Sequence, residues 1–134
     1  MLVLEDGPSL THGGLPWGAG YVAAKTVTDD ILDPRPYAGP LLRAAYARYP
    51  HIGPVLPALG YTHEQLAALR QVINAAPVDA VVSATPIDLA RLIEVHKPLI
   101  RACYELREVE VGGKGWATLA GALEKFLATQ PVVT

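Results

Sequence analysis

The residues able to do chemistry are gathered into three short stretches. The first runs Glu5-Asp6-Gly7-Pro8-Ser9-Leu10-Thr11-His12-Gly13-Gly14-Leu15-Pro16-Trp17-Gly18-Ala19-Gly20-Tyr21. An apolar run, Met1 to Leu4, leads into it, and Val22-Ala23-Ala24-Lys25 leaves it with helix-forming character. Strand, glycine-rich loop and helix make the layout of an anion-binding turn. Glycine lets backbone amides approach a ligand and takes positive φ, while a helix start offers unpaired N–H groups and the positive end of a dipole. His12 is the most reactive group in the loop, either a phosphate contact or proton donor, or a ring that satisfies loop carbonyls. Asp6 suits a metal or hydroxyl partner, or the turn-forming role common before Gly-Pro. The spacing matches neither G-x-G-x-x-G nor G-x-x-x-x-G-K-[ST], so it does not by itself specify a nucleotide.

The second stretch is Asp33-Pro34-Arg35-Pro36-Tyr37. Arg35, held between two prolines, is presented rigidly for a bidentate phosphate or carboxylate contact, or for an ion pair with Asp33 or Asp6. The third is Ala84-Thr85-Pro86-Ile87-Asp88. There Thr85 suits a helix cap, Pro86 a first helical position and Asp88 the dipole, with ligand contact as the second role of Thr85 and Asp88. The candidate ligand or phosphate site therefore comprises Asp6, Thr11, His12, Gly13, Gly14, Gly18, Gly20, Arg35, Thr85 and Asp88. No metal site is expected: His51 and His63 read as structural or exposed, and no pair has ligand spacing. Ser9 or Ser83 with His12 and Asp6 could be assembled on paper into a hydrolase triad. The G-x-S-x-G elbow that would present the serine is absent.

Positioning these residues requires a frame, and hydrophobic periodicity supplies one. Strands are predicted at Leu2–Glu5, Asp30–Asp33, Val78–Ala84 and Leu99–Leu106. Helices are predicted from Pro16 to Lys25, from Pro40 to Arg48 with Leu41, Leu42, Ala45, Tyr46 and Tyr49 on one face, and from a Thr62–Gln65 capping box to Pro77. Two more are predicted, from Ile87 to Val95 and from Trp116 to Thr129, the last apolar along Leu119, Leu123, Phe126 and Leu127. Pro50 to Tyr61 reads as an ordered loop and Gly112 to Gly115 as a turn. The fold class is α/β: one domain over residues 1–134, three-layered and Rossmann-like, with a mostly parallel sheet of about four strands and helices on both faces. Right-handed crossovers then gather the loops after the strands at one edge, where open α/β folds bind ligands.

Composition narrows the functions. A net charge of −2 and a pI near 6.0 exclude a general nucleic-acid or anionic-membrane surface, because counterion-release binding needs a basic stripe. No apolar run spans a bilayer and no signal-peptide order opens the chain, so the expected location is cytoplasmic. The single cysteine, Cys103, lies in an apolar strand-like run and reads as a buried, inert thiol. A strand starting within a residue of Met1 is the pattern expected of a chain cut from something longer.

Four segments together carry a resemblance. They are Val3-Leu4-Glu5-Asp6-Gly7-Pro8-Ser9-Leu10-Thr11-His12-Gly13-Gly14-Leu15-Pro16-Trp17-Gly18-Ala19-Gly20, Asp33-Pro34-Arg35-Pro36-Tyr37, Arg48-Tyr49-Pro50-His51-Ile52-Gly53-Pro54-Val55-Leu56-Pro57-Ala58-Leu59-Gly60-Tyr61 and Ala84-Thr85-Pro86-Ile87-Asp88-Leu89. In order and spacing they resemble the C-terminal region of the cyclic 2,3-diphosphoglycerate synthetase family and its predicted GTPase relatives. The resemblance implies a longer protein in which a preceding P-loop region binds ATP or GTP with Mg2+. This sequence holds no such motif: Gly113-Lys114 lacks the spacing and the following Ser or Thr, so the chain has no cofactor of its own and no nucleotide hydrolysis is expected of it alone. The expected role is to contribute anion-binding loops to a phosphorylated small molecule. The alternative is a structural module that binds the missing P-loop domain or a second copy through Trp17, Tyr37 and the Pro50 to Tyr61 loop.

Overall fold

A computed structural model describes residues 1–105, 107–108 and 118–129. The chain divides into two units, Met1–Cys103 and Tyr104–Thr134. The first carries a sheet of four parallel strands, β1 (Leu2–Asp6), β2 (Leu56–Ala58), β3 (Val81–Ser83) and β4 (Leu99–Arg101), in the order β2-β1-β3-β4. Its helices are α1 (Gly7–Thr11), α2 (Ala19–Lys25), α3 (Pro40–Arg48) and α4 (His63–Ala75), with single 3₁₀ turns at Arg35–Tyr37 and Leu89–Arg91. The second unit contributes α5 (Leu119–Thr129). The fold is thus the expected three-layer, Rossmann-like α/β arrangement. Gly112 to Gly115, and the start of the last helix at Trp116, lie outside the described residues.

β1 is central and wholly apolar until its end: Leu2, Val3 and Leu4 are fully buried. Such a run suits a parallel strand covered on both faces, where alternation has no polar side to report. Leu2 aligns with Val81 and Leu4 with Leu56, so the apolar centres of three strands lie side by side. On α4, Leu69, Val72 and Ile73 are buried beneath the Thr62–Gln65 capping box, which forms as expected. Lys97 closes the other end of α4, its ammonium donating to the carbonyls of Ile73 (2.9 Å), Asn74 (3.0 Å) and Ala76 (2.5 Å). These are the acceptors a helix C-terminus leaves unpaired. On α3 the expected face is the buried one, with Leu42, Ala45 and Tyr46 inside.

Several elements differ from the expectation for identifiable reasons. Asp30–Asp33 is not a strand; Leu32 donates to the Met1 carbonyl (2.9 Å) and the segment runs past the amino end of β1. The second strand is instead Leu56–Ala58, inside the stretch expected to be loop. Pro57 at its centre has no N–H for a ladder, yet β2 is an edge strand, so that side needs no donor. Gly7–Thr11 forms a helical turn capped by the Asp6 side chain rather than open loop. The helix expected from Ile87 shrinks to the 3₁₀ turn Leu89–Arg91, and the strand expected to reach Leu106 stops at Arg101. Cys103 is exposed rather than buried; it lies two residues beyond β4, an edge strand whose own Ile100 and Arg101 are exposed.

Candidate functional site

The sheet order marks a topological switch point. From β1 the chain leaves toward β2 on one side, and from β3 it leaves toward β4 on the other. Where neighbouring parallel strands send their connections in opposite directions, the two loops part and leave room for a ligand at the carboxyl ends. That point lies between β1 and β3. Its walls are the loop from Asp6 to Gly14 and the loop from Ala84 to Asp88, two of the three stretches that carry chemistry.

Each wall is fixed by its own hydrogen bonds. Asp6 ends β1 and accepts from the Ser9 hydroxyl (2.7 Å) and the Ser9 amide (3.2 Å), which turns the chain into α1. Gly7 is obligatory there, since a Cβ would lie 1.9 Å from the Ala58 carbonyl oxygen at the end of β2. Thr11 donates its hydroxyl proton to the Gly7 carbonyl (3.0 Å) and lies 3.0 Å from Nδ1 of His12, whose ring is exposed. The amides of His12 and Gly13 both donate to Pro8 (2.9 and 3.0 Å), and Gly14 turns the loop at φ 69°. On the other wall Thr85 is buried; its hydroxyl lies 2.5 Å from Tyr61 Oη and accepts from the Ile87 amide (3.3 Å). Asp88 opens the 3₁₀ turn and pairs with Arg91 at 3.2 Å.

The organising group is one that motif spacing does not single out. Glu5, the last buried residue of β1, is 2% exposed. Its carboxylate accepts from the backbone amides of Tyr21 (2.7 Å), Gly18 (3.0 Å) and Gly20 (3.3 Å). The chain thus supplies its own anion to the start of α2. Gly18 and Gly20 serve this contact: a Cβ on Gly18 would lie 2.7 Å from Glu5 Oε2, and one on Gly20 would lie 3.2 Å from Oε1 and 2.8 Å from the Ala84 Cβ. Burial raises the Glu5 pKa above its ordinary value, the three amides oppose that shift, and the neighbouring Asp6 charge adds to it. A carboxylate closing an otherwise apolar strand, thirteen to sixteen residues before a Gly-x-Gly helix start, was the available signal.

Arg35 is committed elsewhere. Nη1 meets both Asp33 carboxylate oxygens at 3.1 Å and the Gly53 carbonyl at 3.2 Å, Nη2 donates to the Ile52 carbonyl, and the guanidinium lies 4.6 Å from the centre of the Tyr46 ring. Its segment follows no strand, so the topology that gathers the other two stretches does not include it. Tyr46 in turn donates to the Val55 carbonyl (2.7 Å), and burial raises its pKa. His51 lies 2.7 Å from the Leu10 carbonyl and ties the segment before β2 to α1. Among the described residues no three His, Cys, Asp or Glu side chains converge as metal ligands.

With this geometry established, one similarity bears on function. Arginine synthetase ArcE of Thermococcus kodakarensis is 49% identical to the chain over 110 residues. The chain is homologous to part of a larger synthetase. The match covers 81% of this chain but 25% of that protein, so the chain spans about a quarter of the length of the curated relative it matches. No protein-family profile matches the chain, and no solved structure matches it. Among the described residues no helix is long and apolar enough to cross a membrane.

Proposed function

We propose that this chain is the ligand-binding domain of a cytoplasmic synthetase-type enzyme, and that it contributes the two strand-end loops flanking the β1–β3 switch point. The observation that carries the reading is the 49% identity to a quarter of an arginine synthetase, and the parting of the connections after β1 and β3 in the strand order supports it. Activation by ATP or GTP with Mg2+ belongs to sequence beyond this chain, which lacks the phosphate-cradling motif. The ligand meets His12 and Gly14 on one wall and Asp88 on the other, while buried Thr85 holds that second wall through Tyr61 and the Ile87 amide. Glu5 acts from behind, holding Gly18 to Tyr21 against the end of β1. Gly18 and Gly20 are accordingly frame rather than ligand contacts, and Arg35 braces the segment that leads to β2.

Titration calorimetry with L-arginine, 2,3-bisphosphoglycerate, ATP and GTP tests this reading. Heat with L-arginine or with 2,3-bisphosphoglycerate, and none with either nucleotide, is the expected outcome; the first matches the name of the relative, the second a phosphorylated ligand of the cyclic 2,3-diphosphoglycerate synthetase kind. No heat with any of the four, on both sides of histidine titration, refutes it. A second reading, an assembly module, is favoured by α5, where Leu119, Leu123, Phe126 and Leu127 recur at helical spacing as one apolar stripe. Sedimentation separates the two, since a stable oligomer without ligand affinity supports only the second.

A further inference from the structure

His12 has two ring nitrogens, and the hydrogen bonds beside it determine which one carries the proton. The Gly7 carbonyl can only accept, so the contact from Thr11 Oγ1 at 3.0 Å uses the one proton that the hydroxyl owns. Thr11 Oγ1 is therefore an acceptor in its other contact, at 3.0 Å from His12 Nδ1. The proton in that contact belongs to the ring. That arrangement favours the Nδ1–H tautomer of neutral His12, which leaves Nε2 with a bare lone pair on a ring that is exposed. This is the reverse of the donor role that a neutral histidine needs toward a phosphate oxygen.

We propose that His12 serves the strand-end site as a hydrogen-bond and proton acceptor through Nε2, with Thr11 as the positioning residue that sets the tautomer. The proposal rests on the ligand-site reading and deepens it: the loop after β1 meets an N–H or O–H donor of the ligand, of the guanidinium, ammonium or hydroxyl class. The rest of the loop fits that assignment. The His12 and Gly13 amides are spent on Pro8, and the Gly18, Gly20 and Tyr21 amides on Glu5, so few backbone donors are left to cradle an anion. The residue that starts the loop, Asp6, is an acceptor when ionised.

The test is the ring 15N spectrum of the labelled chain at about pH 8, above the ordinary range of histidine titration. His12 is expected to show a protonated Nδ1 and an unprotonated Nε2. Thr11→Val, which keeps the shape and removes the hydroxyl, should return the ring to the Nε2–H form, and Thr11→Ser should restore Nδ1–H. Unchanged amide signals from β1 and β3 certify that the variants fold. Added L-arginine should then move the Nε2 signal, while inorganic phosphate at the same pH should not. An Nε2–H ring in the parent chain, or indifference to Thr11→Val, overturns the tautomer assignment and the acceptor role with it. A correct tautomer with no response of any strand-end signal to L-arginine, 2,3-bisphosphoglycerate or inorganic phosphate instead refutes the ligand-site reading and removes the acceptor role from function. A response to phosphate alone overturns the donor class assigned to the ligand.

Discussion

Replacing Glu5 by alanine removes the only side-chain acceptor that the structure gives to three amides. Gly20 N–H is fully enclosed, and those of Gly18 and Tyr21 are partly so. An enclosed donor left without a partner costs about 1–3 kcal/mol, and the two at the rim recover part of their loss through water. Against this stands the gain from no longer holding a carboxylate in the interior, the same effect that raises its pKa. The net expectation is a loss of roughly 2–4 kcal/mol, a large share of the 5–15 kcal/mol typical of a domain. Urea unfolding followed by circular dichroism measures it. The pH dependence carries a definite sign. A carboxyl whose folded pKa is raised contributes stability that is fully present below its unfolded value, near 4.5, and is lost as pH rises through the folded pKa. The stability advantage of the parent over Glu5→Ala should therefore shrink as pH rises across that window. A loss under about 1 kcal/mol would refute the three-amide clamp. An advantage that grows with pH would refute the burial argument for the raised pKa.

Two further outcomes follow from contacts around the site. Gly7→Ala forces a methyl to within 1.9 Å of a backbone oxygen that cannot move without opening the β1–β2 pairing. A loss of at least about 3 kcal/mol, or failure to fold, is expected by thermal melting; a variant as stable as the parent would show that the end of β2 is not where the structure has it. Arg35→Lys keeps the charge but loses the planar fork shared by Asp33, Ile52 and Gly53 and the stacking over Tyr46. The exposed ion pair is worth little by itself, so the expected loss of about 1–2 kcal/mol comes from the carbonyls and the ring, while calorimetric affinity for the ligand stays unchanged. A selective loss of affinity would return Arg35 to the binding site.

The sequence read well wherever the signal was local. Buried helix faces on α3 and α4, the capping box at Thr62, the apolar first strand and the run at Val81 and Val82 all follow from period and propensity. So did the α/β class and the location of two of the three chemical stretches, because a loop that follows a parallel strand has one edge to go to. The same locality explains the misreadings. Pro57 argued against a strand, and only the edge position of β2 makes a proline harmless there. Asp30–Asp33 has a strand-like apolar pair, but its backbone meets Met1 alone, at the Asp30 carbonyl and the Leu32 amide, rather than a ladder.

What the sequence by itself determined is which residues could act: Asp6, Thr11 and His12 beside paired glycines, and Thr85 with Asp88 after a buried strand. Only the tertiary structure decided what they are free to do. It spent the helix-start amides on Glu5, the guanidinium of Arg35 on Asp33 and two carbonyls, and the Thr11 hydroxyl on the Gly7 carbonyl beside His12. The reason is physical. Residue type and spacing fix a group's capacity to donate or accept, whereas its remaining valence depends on neighbours that folding brings from distant parts of the chain.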